Sequence, residues 1–235
     1  MAIEKQIEEQ VLKWQKSTDR RKQKNEPPGP VITVSREPGC GGEALAKKIA
    51  KELKIEYFDR EIVQEVAKSA RMSETVVASL DEKERGLLDN WIQFLKTSRY
   101  FWPDEYLHHL TKVVNAVCQH GNVLIVGRGA NMVLPPDETL RLRFVAPLDY
   151  RVANLAKENG ISQEKARKLL DKEEGDRKIF VQKYFHVNID DAVYYDMIFN
   201  TQYIKPDQVV TAVKAALKFK KMPARRRFDP KPETA

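Results

Sequence analysis

The chain of 235 residues is 42% hydrophobic and 32% charged, a mixture that excludes collagen-like and disordered compositions and can bury a core without disulfide or metal staples. Its formal charge of +7 is uneven: residues 1–30 carry an excess of +2, residues 218–235 an excess of +5, and the stretch between them is neutral. A nucleic-acid-binding body is therefore not indicated, and no apolar run is long enough for a membrane span or a secretory leader.

Cys40 and Cys118 show neither metal-ligand spacing nor a disulfide framework, so a reducing cytoplasm is the expected location and no metal-ligand set is expected. Ile3, Ile7, Val11 and Trp14 share one stripe of a predicted amphipathic helix. The proline-rich stretch 24–30 follows as a linker, which makes 1–30 an appendage suited to docking on the body or on a second copy in a homo-oligomer. Val31–Val34 reads as a buried strand, then a glycine turn at 39–42, then a helix through Leu45, Ile49 and Leu53.

Ile55–Phe58 is a short second strand, and residues 59–120 read as helical. In that stretch Trp91, Phe94, Tyr100, Phe101 and Trp102 are expected to pack inserted helices, and the strongest apolar stripe runs from Tyr106 to Val117. Val123–Val126 and Leu140–Val145 are further strands. A charged helical stretch capped by Asp149 or Ser162 comes next, then a strand over Tyr194–Phe199 and a last helix from Pro206. His108, His109, His120 and His186 form no ligand spacing and read as surface or helix-end residues. Alternating strands and helices imply a parallel sheet covered on both faces, with a body over 31–217 and a basic tail over 218–235.

A strand, a glycine turn and a helix start direct backbone amides and the positive helix end at an anion. Gly39-Cys40-Gly41-Gly42-Glu43-Ala44 satisfies G-x-G-x-x-A, and Asp59 stands where a dinucleotide fold places its ribose carboxylate. The four residues Ser35-Arg36-Glu37-Pro38 before the first glycine instead fit the longer loop of a P-loop. As a P-loop it lacks consensus groups: Arg36 stands at the first glycine, Gly42 at the lysine and Glu43 at the Mg²⁺-binding hydroxyl.

Five blocks in order favour the second reading. They are Ile32-Thr33-Val34-Ser35-Arg36-Glu37-Pro38-Gly39-Cys40-Gly41-Gly42, Tyr57-Phe58-Asp59-Arg60-Glu61-Ile62, Val126-Gly127-Arg128-Gly129-Ala130, Arg177 with Phe180, Tyr184 and Phe185, and Tyr195-Asp196-Met197-Ile198-Phe199-Asn200-Thr201. With these the chain resembles the cytidylate kinase-like family, relatives of the nucleoside monophosphate kinases. The resemblance implies an α/β P-loop NTPase fold in three layers, with a five-stranded parallel sheet and an inserted helical acceptor and lid region.

It further implies ATP and Mg²⁺ as cofactors and a nucleoside monophosphate, CMP by family analogy, as acceptor. Ser35, Arg36, Gly39, Cys40, Gly41, Gly42, Glu43 and Ala44 would then bind the ATP phosphates, Arg128 would grip the acceptor phosphate, and Arg177 would close from the lid. Arg36 is placed to supply the charge that Gly42 cannot, so Arg36, Arg128 and Arg177 are the candidate catalytic residues. Asp59 and Arg60 are candidates for the acceptor side, while Asp196 and Asn200 are expected to fix loop geometry. The alternatives are a nucleotide-binding regulator that lost catalysis with the lysine, and nucleic-acid binding through the basic tail.

Overall fold

The computed structural model describes residues 29–68, 70–80 and 105–220, with isolated residues between 5 and 16 and between 85 and 93. The expected N-terminal helix, the whole aromatic set at 91–102 and the end of the basic tail lie outside the described residues. The elements, in chain order, are β1 (Val31–Arg36), α1 (Gly42–Leu53), β2 (Glu56–Phe58), α2 (Arg60–Lys68), α3 (Ala70–Ala78), α4 (Glu105–His120) and β3 (Val123–Val126). They continue with α5 (Ala130–Val133), β4 (Leu140–Val145), α6 (Leu148–Asn159), α7 (Gln163–Phe185), a 3-10 turn (Ala192–Tyr194), β5 (Met197–Asn200) and α8 (Pro206–Phe219).

All five strands run parallel in the order β2-β3-β1-β4-β5. Strand periodicity divides the core. Val31, Val123 and Ile125 face one side with α2, α3 and α4, whereas Ile32, Val34, Leu124, Val126, Leu140, Leu142 and Phe144 face α1 and α8 on the other. A separate small core of Val152, Leu155, Ala166 and Leu170 joins α6 to α7. The result is the three-layer α/β fold the sequence implies, with the helices of 60–120 inserted between β2 and β3.

Three local expectations need refinement. The last strand begins at Met197 rather than Tyr194, because the Asp191 side chain accepts the Val193 amide and winds 192–194 into a 3-10 turn. Of the two candidate caps, Ser162 caps α7 by accepting the Lys165 amide, while Asp149 lies inside the first turn of α6 behind Pro147. His120 does end α4, but it is only 2% exposed and bonds Ser79 Oγ through Nε2 at 2.9 Å. Among the described residues no helix is long and apolar enough to cross a membrane.

Candidate functional site

The carboxyl ends of β1, β2 and β3 open into one cleft of about 730 Å³, mouth included, whose fourth wall is α7. Four arginines line it: Arg36 at the end of β1, Arg60 at the start of α2, Arg128 after β3 and Arg177 on α7. Clefts outside the carboxyl ends of parallel strands are where open α/β sheets bind ligands.

Arg128 is aimed by its backbone. Gly127, Arg128 and Gly129 all have positive φ, at 78°, 54° and 65°, so a non-glycine residue is held in the left-handed region. A Cβ at Gly129 would lie 2.3 Å from the Phe185 ring, which leaves only glycine for that step. The Arg128 guanidinium lies over the Phe180 ring, 5.6 Å from its centroid.

Arg177 reaches across from α7. Its Nη1 donates to the carbonyl of Arg36 at 2.7 Å and its Nη2 to Glu173 at 3.0 Å. Burial, and then the neighbouring charge of Arg36, push its pKa down to about 10. Burial also lowers Arg128, with Arg60 and Arg36 adding to the effect against Tyr106. The cluster is a concentration of positive charge suited to an anion of several negative charges.

The glycine loop sits beside this cluster. Gly41, at φ 72°, is the N-cap of α1 and offers no side-chain cap, and the first backbone bond of the turn is Leu45 to Gly41 at 3.2 Å. The amides of Glu43 and Ala44 therefore stand at an open helix end, and there is empty space around Gly41. This part of the chain fits the phosphates of a nucleotide. The loop is tied from behind, since Thr201 Oγ1 donates to the Cys40 carbonyl at 2.7 Å and Asn154 Nδ2 to that of Gly39 at 3.2 Å.

The consensus lysine could not be accommodated as the loop stands. A Cβ at Gly42 would lie 2.9 Å from Arg36 Cβ, 3.0 Å from Cys40 Sγ and 3.1 Å from Phe144 Cδ2. Arg36 occupies that neighbourhood instead: it lines the cleft, its Nη2 lies 3.7 Å from Glu43, and its Nη1 lies 3.1 Å from where a Gly127 Cβ would be. Cys40 contributes backbone only. Its thiol is buried against the Phe144 carbonyl, and burial pushes its pKa up.

Glu43, at the hydroxyl position, is half-exposed and ionised, its carboxyl held below the usual range by Lys47 and Arg36 against its partial burial. Among the described residues no group of three or more His, Cys, Asp or Glu side chains could hold a metal ion. Glu43 is the carboxylate that stands at the open start of α1, 3.7 Å from Arg36 Nη2.

The cleft gathers Ser35, Arg36, Arg60, Arg128 and Arg177 from the candidate set. Neither Asp59 nor the loop residues 39–44 are among its lining residues; Asp59 Oδ1 accepts the Glu61 amide at 2.9 Å at the start of α2. Asp196 fixes geometry as expected, accepting from Arg141 at 2.8 and 2.9 Å and from Lys220 at 2.6 Å. Asn200 accepts the Gln202 amide at 3.1 Å.

The model of the cytidylate kinase-like family matches residues 31–203, well over half of the chain and all of the cleft. The chain belongs to the cytidylate kinase-like family. Among curated proteins, the cytidylate kinase of Pyrococcus horikoshii is 31% identical over 189 residues, covering 80% of this chain and 88% of that protein. That of Ignicoccus hospitalis is 24% identical over 192 residues, covering 80% and 98%. A solved structure, an uncharacterised protein from Eubacterium ventriosum, superposes with a TM-score of 0.63 at 19% identity over 81% of this chain and 98% of that one, a likeness of fold.

In this cytidylate kinase-like chain, residues that sequence reasoning passed over also reach the site. Asn131, Glu173, Asp176 and Ile189 line the cleft. Arg143 and Arg151 lie buried behind it, at 4% and 6% exposure. The one available signal was Asp176, adjacent to Arg177 in the fourth block; buried arginines leave no such mark in a sequence this rich in charge.

Proposed function

We propose that the protein is a kinase that transfers the ATP γ-phosphate to a nucleoside monophosphate, with CMP the favoured acceptor. The convergence of four arginines on one cleft beside an uncapped helix start supports this reading most directly, and the family and its curated relatives agree with it. Phosphoryl transfer is catalysed mainly by positioning and by neutralising charge on the transferred group, so such a cluster is the equipment required.

In this reading the amides at the start of α1 bind the ATP phosphates and Arg36 takes the place of the absent lysine. Arg128 and Arg60 hold the acceptor phosphate, and Arg177 closes over the group in transit. Mg²⁺, bound with ATP beside Glu43, would supply further neutralisation of the phosphate oxygens. The Arg177–Glu173 and Arg36–Glu43 pairs keep these guanidiniums oriented before substrate arrives.

Incubating the protein with Mg²⁺-ATP and each ribo- and deoxyribonucleoside monophosphate, and following ADP, tests the reading. Turnover strongest with CMP or dCMP is expected. Absence of ADP with every acceptor, while ATP binds, would overturn it in favour of a catalytically silent nucleotide-binding regulator, the reading that the crowded Gly42 position favours.

A further inference from the structure

Behind the cleft runs a chain of polar and charged side chains that begins and ends on the two residues flanking Arg36. From Ser35, Oγ accepts from Arg143 Nη1 at 2.9 Å, and Arg143 Nη2 donates to Asp190 Oδ1 at 2.5 Å. Lys178 joins Asp190 Oδ2 at 3.1 Å to Glu174 Oε1 at 3.0 Å. Glu174 Oε2 accepts from Arg151 Nη1 at 2.9 Å, and Arg151 Nε faces Glu37 Oε2 at 3.3 Å. Acid and base alternate throughout, and Asp190 and Glu174 each give one oxygen to each neighbour.

The geometry follows from register and helix periodicity. Parallel pairing of β1 with β4 sets Arg143 beside Ser35. On α7, residues 174, 177 and 178 share one face, so the same face that closes the ring also delivers Arg177 to the Arg36 carbonyl. Arg143 and Arg151 are both buried, so each depends on its partners: a buried guanidinium deprived of its carboxylate is costly. The ring also satisfies Glu37, Glu174 and Asp190 away from the cleft, so these carboxylates do not neutralise the cleft arginines.

We propose that this ring is a positioning device, with Arg151, Arg143 and Lys178 as positioning residues that fix the backbone at Arg36 and the approach of Arg177, and so set the anion affinity of the cleft. The inference rests on the reading of the cleft as a phosphate site, but not on catalysis. None of the three lines the cleft. Lys178 is the most exposed link, with 47% of its side chain accessible, and can be removed with the least disturbance of packing.

The test is calorimetric binding of ATP, and separately of inorganic pyrophosphate, alongside thermal unfolding. Lys178→Met is expected to weaken both ligands several-fold and Arg151→Ala about tenfold or more. Lys178→Arg should restore binding, and tens of millimolar guanidinium should partly restore it in Arg151→Ala. A purely structural ring would lower the unfolding temperature while leaving ligand affinity at the wild-type value, and that result overturns the proposal even if Arg151→Ala fails to fold, because Lys178→Met reports on the same ring. Failure of the kinase reading is separate: it appears as wild-type protein that binds ATP and yields no ADP.

Discussion

Arg177 donates to the main-chain carbonyl of Arg36 at 2.7 Å across 141 positions of sequence. One guanidinium thereby spans from α7 to the end of β1, with Nη2 given to Glu173 and Nε buried without a hydrogen-bond partner among the described residues. A lysine cannot reproduce that planar fork.

Arg177→Lys is accordingly expected to lower kcat about a hundredfold, with a smaller change in KM for ATP, because closing arginines act on the transition state. Steady-state ADP release at saturating acceptor checks it. A wild-type rate in the lysine variant would remove Arg177 from the transfer step.

Restoring the consensus at Gly42 should fail. Three atoms of Arg36, Cys40 and Phe144 stand within 3.1 Å of any added Cβ, and Phe144 is fully buried in the sheet core. Gly42→Ala is expected to cost about 1–3 kcal/mol of stability, read as a lower urea midpoint, and Gly42→Lys to cost at least as much without raising turnover.

Crowding of positive charge should make the empty cleft a stability liability. Burial first, and then Arg36, push the Arg177 pKa down to about 10 in the fold, well below the ordinary arginine value. The unfolded chain therefore holds this proton more tightly, so the charge opposes folding at every pH below about 10, and the opposition fades only as pH rises from there toward the ordinary arginine value. Arg60→Gln is expected to raise ligand-free stability by about 0.5 kcal/mol and to shrink the thermal shift produced by ATP or pyrophosphate. Thermal unfolding with and without each anion measures both effects.

The opposite sign applies to Asp196 and Glu174. Burial would raise both carboxyls, but Arg141 and Lys220 hold Asp196, and Lys178 and Arg151 hold Glu174, below the usual carboxylate range. Their contribution is complete above pH about 4 and is lost as pH falls through the depressed folded values. Asp196→Asn should cost about 1 kcal/mol at pH 7, a figure reduced for partial solvent screening, and should flatten the acid limb of a stability–pH curve.

The framework of this fold is written locally. Val31–Val34 and Val123–Val126 are β-branched or aliphatic runs bounded by breakers, and the α4 stripe repeats at helical spacing, so strand and helix order follow from periodicity alone. The cleft arginines were also legible, because each sits in one of the five blocks, three of them adjoining a strand end and Arg177 on α7. The supporting ring was not. Arg143 occupies a strand position and Arg151 a helix position in a sequence that is one-third charged, and only the pairing of β4 with β1 and the packing of α6 on α7 decide that these two charges lie inside. The start of β5 was misplaced for a local reason, since the Asp191 side chain takes the Val193 amide and winds 192–194 into a 3-10 turn that apolar spacing does not register.

Lys220, at the end of α8, grips the carbonyls of Pro136 and Thr139 at 2.9 and 2.5 Å, just before β4. The carbonyl of Pro30, just before β1, accepts the Val123 amide at 3.0 Å, and Ile32 pairs with Leu140. Both ends of the body thus depart from the amino-terminal edge of adjacent strands, the side away from the arginine cleft. A surface attached at position 30 or at position 220 would hold the body with its back turned and its cleft open to the bulk, and a covalent bridge between these two positions would leave the arginine face untouched.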